Sequence, residues 1–533
     1  MTDRELKIEG MTCGSCAVHV EEALEQAGAE EASVDWRRGR AVVERGEVDP
    51  QALDDALAGT RYRVEGVTEV DWPAQSNAAS AHIDYDLVVL GSGGAAFAGA
   101  IRGRDLGKRV LMVEAGVTGG TCVNVGCVPS KDLLVASERA RLVGRPTLAE
   151  AVADKTALVE ELRQQKYLDL LDDYGIEFRR GQARLTGAHT VVVDGEAVSA
   201  RAILVATGAQ PAIPQIPGLD ATAYLTSTTA LELSEAPTRL AVLGAGPVGL
   251  ELGQMLGNFG SSVTFLARRG VAADAEPEIA VKLASILRDQ GHRIIAPATT
   301  TEIAMDGDGK VLRGSVDGDP FELRVDEILV ATGRRPNTEQ LGLEDVGVET
   351  DSHGAIVVDL DQRTSVQSIF AAGDVTAQPR FVYVAAAGGA AAAENALGAR
   401  GERLDFRALP QIIFTAPAFA QAGLTEAQAR AQGTEVETRV LSLDAVPRAI
   451  VNGDTRGLFK LVAEAQTGRL VGVSVLADGA PDVIHAAVLA IEQELSVADL
   501  TRTWAPYLAM AEGLKLAAQT FDRDVSRLSC CAA

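Results

Sequence analysis

This 533-residue chain has few basic residues relative to its acidic ones, and it has no isolated cysteine. Lysine and arginine number 49 against 74 aspartates and glutamates, so the formal net charge is −25. A surface of that sign repels nucleic-acid phosphates and anionic lipid headgroups, which excludes nucleic acid and membrane surfaces as expected partners. No hydrophobic run reaches the ~18–20 residues that cross a bilayer, and the N-terminus lacks the apolar core of a signal peptide. We therefore expect a cytoplasmic protein.

The six cysteines include no isolated residue. They form three close pairs, which are Cys13/Cys16, Cys122/Cys127 and Cys530/Cys531. A cytoplasmic compartment keeps thiols reduced, which argues against structural disulfides. Three dithiols in one chain therefore indicate metal binding or redox chemistry. The rest of the chain, with 47% hydrophobic and 23% charged residues, has an ordinary globular composition and the length of three or four domains.

Residues 1–68 are predicted to form a separate domain, followed by a small, polar, flexible linker over 69–82. Hydrophobic periodicity predicts the order βαββαβ, a ferredoxin-like sandwich. Cys13 and Cys16 lie in the loop before the first helix, whose positive N-terminal end favours thiolates. Such a pair suits a soft cation, a redox dithiol or half of a zinc site. The string GMTCGSCAVHV resembles the heavy-metal-associated domains, which implies that Cys13 and Cys16 bind metal.

A first glycine-rich turn follows the apolar strand predicted over residues 86–90. Its sequence GSGGAA places Gly91, Gly93 and Ala96 at the three positions of a dinucleotide-binding turn. The next strand ends in Glu114, about twenty residues further on, where a carboxylate can accept hydrogen bonds from a ribose diol. This pattern predicts a first Rossmann-like domain.

A second turn of the same kind, GAGPVG, contains Gly244, Gly246 and Gly249, and we expect its helix to begin near residue 250. The following strand ends in Arg268 and Arg269, where an acid that binds ribose would otherwise stand. Arginines suit a 2′-phosphate, so this site is expected to bind NADP(H). The alternative is that both arginines only cap a solvated strand end.

Between the two turns lies the string GGTCVNVGCVPSK, residues 119–131. Cys122 and Cys127 are five residues apart in a glycine-rich loop before a helix, a spacing that can close a small, readily reduced disulfide ring. The string resembles the redox-active segment of the pyridine-nucleotide disulfide oxidoreductases, a family of flavoenzymes. The segments ATG, ATGRRPN and IFAAGD follow in that family's order, so the resemblance covers residues 83–533.

This resemblance implies the architecture and the cofactors FAD and NADPH. The expected fold is α/β, with two Rossmann-like nucleotide-binding domains and an α+β dimerisation domain, preceded by the ferredoxin-like βαββαβ domain. The expected boundaries are 83–235 and 356–405 for the FAD-binding domain, 236–355 for the NADP(H)-binding domain, and 406–533 for the dimerisation domain with the C-terminal cysteines. The implied cofactor-binding residues are Gly91, Gly93, Ala96, Glu114, Gly120, Thr121, Lys131, Thr207, Gly208, Asp374, Gly244, Gly246, Gly249, Arg268 and Arg269.

The C-terminal region departs from the thiol-disulfide reductases of this family, which carry a histidine that serves substrate thiols from the partner subunit. Tyr507 stands at that position, while the nearby Glu512 is retained. A phenol with a pKa of about 10 cannot exchange protons near neutral pH as a histidine does. The chain instead carries two adjacent thiols near its C-terminus, Cys530 and Cys531, which taken alone could be an inert tail. Together with the N-terminal domain they resemble the mercuric reductases within the family. That resemblance implies that Tyr224 and Tyr507 line a metal site; the alternative is that both are core aromatics.

The resemblance also implies roles around the flavin. Cys127 would be the thiolate nearest the flavin and Cys122 the outer thiol. Lys131 would lie by the flavin's reactive nitrogen and pair with Glu251 near the nicotinamide.

The resemblance implies that the protein reduces Hg(II), and the chemistry agrees, because Hg(II) is a soft cation that prefers two linear thiolates. We expect a homodimer with an active site shared between chains. Thiol-bound Hg(II) would enter at Cys13 and Cys16, or directly at Cys530 and Cys531, and would pass by thiolate exchange from the partner's C-terminal pair to Cys122 and Cys127. Electrons from NADPH would reach it by way of FAD and give elemental mercury. Its other partners would be Hg(II)-thiol complexes and metal-delivering proteins. The alternative is a metal-carrier domain fused to an ordinary thiol-disulfide reductase.

Overall fold

The computed structural model describes residues 3–9, 20, 23, 24, 26–35, 40–46, 48–57, 62–70, 83–398 and 403–523. The chain divides into two compact units, Met1–His82 and Ile83–Ala533. Two of the cysteine pairs lie outside the described residues, Cys13/Cys16 and Cys530/Cys531.

The first unit is built on a four-stranded antiparallel sheet. Its strands are β1 (Asp3–Glu9), β2 (Ala29–Asp35), β3 (Arg40–Gly46) and β4 (Arg63–Val70), in the spatial order β2-β3-β1-β4. Helical residues lie between β1 and β2, and helix α1 (Pro50–Leu57) joins β3 to β4. Leu6 and Ile8 are two residues apart in β1, so they lie on the same face of the sheet. They are buried with Val20 and Leu24 of the helical segment. The predicted βαββαβ order is confirmed, and residues 69 and 70, which we assigned to the linker, belong to β4.

The second unit contains the remaining elements. Its strands are β5 (Tyr85–Leu90), β6 (Val110–Glu114), β7 (Glu177–Arg180), β8 (Ala183–Gly187), β9 (Thr190–Val193), β10 (Glu196–Val205), β11 (Ala209–Pro211), β12 (Arg239–Leu243), β13 (Ser262–Leu266), β14 (Arg293–Ile295), β15 (Ala298–Asp306), β16 (Gly309–Val316), β17 (Asp319–Val325), β18 (Glu327–Val330), β19 (Arg334–Pro336), β20 (Ile369–Ala371), β21 (Pro410–Ile413), β22 (Ala418–Gly423), β23 (Val436–Ser442), β24 (Leu458–Glu464) and β25 (Leu470–Ala477).

Its helices are α2 (Gly94–Asp105), α3 (Gly120–Val125), α4 (Cys127–Val143), α5 (Leu148–Arg163), α6 (Asp169–Asp173), α7 (Pro247–Asn258), α8 (Pro277–Asp289), α9 (Leu343–Val346), α10 (Val382–Ala396), α11 (Glu426–Ala431), α12 (Pro447–Asn452), α13 (Ala480–Glu492), α14 (Val497–Arg502) and α15 (Glu512–Gln519). A π-helical turn, Gln164–Leu168, joins α5 to α6.

The first nucleotide-binding fold is a parallel sheet in the order β7-β6-β5-β10-β20, extended by the antiparallel strands β9 and β8. Leu87, Val88 and Val89 of β5 are fully buried, without the alternation of a half-exposed strand. A continuous apolar strand of this kind is buried on both faces, as a parallel sheet between helices requires.

The second nucleotide-binding fold lies between β10 and β20 in the sequence. Its parallel sheet has the order β14-β13-β12-β18, and β15, β16 and β17 form an antiparallel meander beside it. Helix α7 begins at Pro247 rather than near residue 250, because proline has no N–H to lose in the first turn and its φ already suits a helix. Both Rossmann-like domains are therefore confirmed.

The C-terminal part is a five-stranded antiparallel sheet in the order β21-β22-β25-β24-β23. Phe459, Val475 and Ile484 form part of the core between this sheet and its helices. The predicted α+β domain is confirmed. Among the described residues, no helix is both long enough and apolar enough to cross a membrane.

The segment between the first two turns differs from the expected loop. Cys122 lies inside the short helix α3, and Cys127 is the first residue of α4. Gly126 separates the two helices, and a β-carbon there would lie 2.7 Å from the carbonyl oxygen of Thr121 and 3.1 Å from the Cα atom of Cys122. The close approach of the two helices brings the cysteines together without a loop.

Candidate functional site

The two glycine turns share one construction. Gly91 has φ +111° and Gly244 has φ +109°, conformations that L side chains rarely adopt. A β-carbon on either would lie 2.4 Å from a carbonyl oxygen, that of Ala206 for Gly91 and that of Ala331 for Gly244. Each turn therefore packs against the end of a neighbouring parallel strand, where only glycine fits.

Both turns lead into helices whose N-termini are suited to phosphate. Gly93 and Gly246 are the N-caps of α2 and α7, so the unpaired N–H groups of each first helical turn are at hand for an anion. A β-carbon on Gly246, Gly208 or Gly333 would meet nothing within 4 Å, so the backbone is open to a ligand there. We call the turn at Gly91 with the start of α2 the first cradle, and the turn at Gly244 with the start of α7 the second cradle. The two cradles fit two dinucleotides.

Several further residues predicted to bind a cofactor surround the first turn. The carboxylate of Glu114 accepts hydrogen bonds from the hydroxyl of Ser92 and from the N–H of Gly116, each at 2.6 Å. Ala96 is fully buried, and a β-carbon on Gly120 would lie 2.6 Å from the Cα atom of Gly93. The cysteine segment is thus packed directly against the first dinucleotide cradle.

Two hydrogen bonds join the ATG segment of the first nucleotide-binding fold to the ATGRRPN segment of the second. The Thr207 hydroxyl donates to the carbonyl oxygen of Asn337 at 2.7 Å, and the Asn337 amide donates to that of Thr207 at 2.9 Å. Strands β11 and β19 pair beside these two hydrogen bonds.

Gly249 packs closely against the second turn, since a β-carbon on it would lie 2.2 Å from the carbonyl oxygen of Gly244.

The cysteines of α3 and α4 are free thiols; Cys127 is exposed and Cys122 is half-buried. A hydrogen bond from Cys122 and the charge of Lys131 lower the pKa of Cys127 to about 6, although the partial desolvation of its thiol opposes this. The same hydrogen bond, reinforced by burial, raises the pKa of Cys122 above its ordinary value. The pair therefore consists of one thiolate and one thiol at neutral pH.

Lys131 and Glu251 form an ion pair at this site. The Lys131 ammonium lies 2.6 Å from one carboxylate oxygen of Glu251, and the other oxygen accepts the Phe414 N–H at 2.9 Å. The same ammonium lies 4.7 Å from the centroid of the Phe414 ring. Since Lys131 is one helical turn after Cys127, the first fold, the second fold and the C-terminal domain meet within one turn of the thiolate.

Arg334 connects the cysteine segment to Asp374. Its guanidinium donates to the Thr121 hydroxyl at 3.3 Å and to the carbonyl oxygen of Ala209, and it lies 3.4 Å from the Asp374 carboxylate. Sequence reasoning gave Arg334 no role, although it lies within the ATGRRPN segment. That motif was the signal available for finding it.

Two aromatic residues near the cysteines were also missed. Burial, followed by the charges of Cys122 and Cys127, raises the pKa of Tyr167. Burial and the charge of Cys127 raise the pKa of Tyr383 to about 12. Tyr383 donates to the carbonyl oxygen of Pro410 and stacks on Phe381, with ring centroids 5.3 Å apart. No spacing in the sequence relates these residues to the cysteines.

A cleft of about 640 Å³ opens at the second glycine turn. Arg268 and Arg269 are both exposed and line it. The Arg269 guanidinium already pairs with Asp274 at 2.7 Å. The two arginines therefore lie where a nucleotide bound to this turn would pass.

The contacts described above do not involve the two tyrosines implied to line a metal site. Tyr224 packs against the apolar cluster of the second nucleotide-binding fold that includes Leu219 and Ile328. Tyr507 is 53% exposed and Trp504 is 97% exposed in the C-terminal domain. Their place at a metal site stays a prediction.

Comparison with known families gives this geometry a context. Residues 85–389 match the family described as pyridine nucleotide-disulphide oxidoreductase, and residues 409–518 match its dimerisation domain. The chain belongs to this family. Residues 5–63 match the heavy-metal-associated domain, as predicted. Membership in the oxidoreductase family implies a flavin and a nicotinamide cofactor, and the two cradles fit both.

Several similar curated proteins are named mercuric reductase. A mercuric reductase of Staphylococcus aureus is 45% identical over 99% of this chain and 99% of its own length. One from Lysinibacillus sphaericus is 45% identical over the full length of both. A third, from Streptomyces lividans, is 49% identical over 85% of this chain and 99% of its own length. The predicted resemblance to the mercuric reductases is confirmed.

Solved structures of the same fold include a flavoprotein disulfide reductase. The HOCl-induced enzyme RclA of Escherichia coli has a TM-score of 0.75 and 31% identity, covering 82% of this chain and 99% of its own. A Cu(II) complex of the same reductase has a TM-score of 0.76. These oxidoreductases therefore share the fold of this chain.

Proposed function

We propose that this protein is an NADPH-dependent flavoenzyme that reduces thiol-bound Hg(II) to elemental mercury. The observation that carries the proposal is the Cys122/Cys127 dithiol beside the Lys131–Glu251 pair, in a chain 45% identical over nearly its whole length to mercuric reductases. The alternative function, a metal-carrier domain fused to an ordinary thiol-disulfide reductase, is not favoured. Two relatives that match this chain along nearly its full length are both named mercuric reductase.

The dithiol suits a two-coordinate soft ion. Cys127 attacks as a thiolate at neutral pH, and Cys122 becomes the second ligand when its proton leaves. Within the described residues no three His, Cys, Asp or Glu side chains cluster to hold a metal. Lys131 offsets the negative charge of the thiolates. On reduction, Hg(II) takes up two electrons, both Hg–S bonds break, and two thiolates return.

The flavin and the nicotinamide supply those two electrons when bound. For the first cradle we propose FAD, with Glu114 toward the adenosine ribose and Asp374, positioned by Arg334, toward the ribityl chain. For the second we propose NADPH, because Arg268 and Arg269 line the cleft where an acid would select NADH. Glu251 and Lys131 would hold the reacting edges of the two cofactors in place.

We further propose that the active site is shared in a homodimer, which the dimerisation domain supports. The partner's Cys530 and Cys531 would deliver Hg(II) to Cys122 and Cys127 by thiolate exchange. Trp504 is 97% exposed in the single chain, and we propose that the second copy covers it. Chains lacking the C-terminal pair, mixed with Cys122→Ser/Cys127→Ser chains, should regain roughly one working site per heterodimer. Heterodimers without activity would place delivery within one chain.

The function is tested by following NADPH oxidation and mercury vapour together. Hg(II) with excess small thiol should drive steady NADPH oxidation with one mercury atom released per NADPH. Oxidised glutathione and lipoamide should drive none. Cys127→Ser should abolish turnover while retaining flavin, because it removes a metal ligand and leaves both glycine turns intact. Oxidation driven by the disulfides and not by Hg(II) would overturn the proposal.

A further inference from the structure

Helix α7 of the second nucleotide-binding fold holds a short segment of the dimerisation domain. Glu251 and Gln254 are three residues apart on one face of this helix. Glu251 accepts the N–H of Phe414 at 2.9 Å, and Gln254 accepts the N–H of Ala416 at 2.7 Å. Gln254 also donates to the carbonyl oxygen of Ala416 at 3.1 Å. Residues 414–416 are therefore held at fixed distance from the helix.

This segment reaches the ion pair at the dithiol from both sides. The Phe414 backbone occupies one oxygen of Glu251, whose other oxygen holds the Lys131 ammonium at 2.6 Å. The Phe414 ring lies 4.7 Å from that ammonium. One residue of the dimerisation domain thus contacts the acid and the base of a pair formed by the other two domains.

The exposure of Phe414 distinguishes this contact from core packing. Its neighbour Ile413 is 5% exposed within the apolar core, whereas Phe414 is 36% exposed. Glu251 is 6% exposed, so its carboxylate depends on the two donors that reach it. A ring facing an ammonium at this distance attracts it through the negative face of its π system.

We propose that Phe414 is a positioning residue for electron transfer from the nicotinamide to the flavin, acting through Lys131 and Glu251. The inference rests on the cofactor placement of the proposed function. The ring restricts where the ammonium can lie, and the backbone N–H restricts where the carboxylate can lie. Through Phe414 the dimerisation domain sets the geometry of a pair that belongs to the other two domains.

The test measures flavin reduction by NADPH in anaerobic stopped flow, without mercury. Phe414→Leu keeps the backbone N–H bond and an apolar side chain but removes the ring. We expect a roughly 3- to 30-fold lower limiting rate, with the half-saturating NADPH concentration changed less than about twofold. The visible circular dichroism of the bound flavin should change as well, because a neighbouring charge moves. Phe414→Tyr, which keeps the ring, should restore both readouts.

A matched control removes an equivalent contact elsewhere in the same domain. The Arg439 guanidinium lies 4.8 Å from the ring centroid of Phe521, so Phe521→Leu makes the same chemical change away from the dithiol. It should leave the limiting rate and the flavin spectrum unchanged. An equal loss of rate in Phe521→Leu would mean that the effect reports domain stability, which overturns the proposal.

A double-mutant cycle separates action through Lys131 from any other effect. In a Lys131→Met background, Phe414→Leu should lower the rate by less than about twofold, because the ring has no ammonium to hold. The proposal would be overturned if Phe414→Leu lowered the rate by the same factor in both backgrounds. It would also be overturned if Phe414→Leu alone left the rate of flavin reduction unchanged. The proposed function is tested separately, by mercury-driven NADPH oxidation in the parent protein. Neither of these two results would affect that measurement.

Discussion

The ammonium of Lys131 lies 2.6 Å from the carboxylate of Glu251, although 120 residues separate them in the chain. Their exposures are unequal: the Lys131 side chain is 35% exposed and that of Glu251 is 8% exposed. Water can therefore solvate the Lys131 ammonium more easily than the Glu251 carboxylate. Loss of Lys131 leaves the Glu251 carboxylate buried without its ion-pair partner, whereas loss of Glu251 leaves an ammonium that solvent reaches.

This asymmetry predicts unequal costs of substitution. Lys131→Met should lower the free energy of unfolding by about 2 kcal/mol, because it removes the partner of a buried carboxylate. Glu251→Gln should cost less than about 1 kcal/mol, since the amide oxygen still accepts the Phe414 N–H and Lys131 turns to water. Thermal unfolding of the two flavin-loaded variants measures the difference. Equal midpoints would contradict the burial argument.

The thiolate of Cys127 predicts a pH dependence of reactivity. Its folded pKa of about 6 lies below the ordinary value of 9.0, so the thiolate is present above pH 6 and is protonated as the pH falls through that value. Alkylation of the reduced protein by iodoacetamide should therefore lose Cys127 labelling with a midpoint near pH 6. Cys122 should stay unlabelled at neutral pH because its pKa is raised. Peptide mapping by mass spectrometry distinguishes the two.

Two substitutions at Cys122 control this prediction. Cys122→Ala removes the hydrogen-bond donor and should raise the labelling midpoint of Cys127, whereas Cys122→Ser keeps a donor and should raise it less. Preferential labelling of Cys122 in the parent protein would reverse the two assignments.

The glycine turns predict separate losses of the two cofactors. Gly91→Ala places a β-carbon 2.4 Å from the Ala206 carbonyl oxygen and should yield protein with little flavin. Gly244→Ala should keep flavin but raise the half-saturating NADPH concentration roughly tenfold or more. The control is Gly260→Ala, whose φ is +107° but whose β-carbon meets nothing within 4 Å. It carries only the backbone strain, so flavin content by absorbance and NADPH saturation should both be retained.

The arginines beside the second cradle predict which residue sets the coenzyme preference. Because Arg269 is paired with Asp274, Arg268→Gln should lower the NADPH-over-NADH ratio of kcat/KM more than Arg269→Gln. We expect roughly a tenfold loss for Arg268→Gln, the scale of one charge-assisted contact to a 2′-phosphate. Steady-state kinetics with both coenzymes measure the ratio. An unchanged ratio in the double variant would show that the phosphate is bound elsewhere.

The N-terminal unit predicts a conditional contribution to turnover. Removal of residues 1–82 should leave folding and turnover unchanged when small thiols are in excess, because Hg(II)-thiol complexes diffuse to the active site unaided. When thiols are scarce, the tethered domain raises the local concentration of an exchange partner, and the full-length chain should turn over faster. Cys13→Ser/Cys16→Ser in the full chain is the matched control and should behave as the truncated protein does. Equal rates under thiol-poor conditions would exclude a carrier role.

The sequence predicted those parts of the fold whose physical cause is local. Leu87, Val88 and Val89 read as a buried parallel strand because no polar residue interrupts them, and Gly91 marks a turn that no side chain can make. The thiols of Cys122 and Cys127 were recognisable from a five-residue spacing. Each of these signals lies within a few residues of the feature that it predicts.

The remaining site residues depend on contacts between distant segments. Phe414 of the dimerisation domain meets Lys131 of the first nucleotide-binding domain, and Tyr383 approaches Cys127 from a helix more than 250 residues away. Neither has a period, a spacing or a turn that relates it to the cysteines. The helix around Cys122 was missed for a related reason, since glycine and cysteine have low helix propensity and tertiary packing overrides it.

The insertion of one nucleotide-binding fold into the other fixes the order in which this chain can mature on the ribosome. β10 gains its parallel neighbour β20 only after about 160 further residues are made, roughly 8–30 s at ordinary rates of synthesis. The strands of the inserted fold, β12 to β18, are complete before then. The nicotinamide domain can therefore mature first, while the edge of β10 at Ile203 stays open to misplaced strands. Chains that stall before β20 would be natural clients of chaperones and proteases.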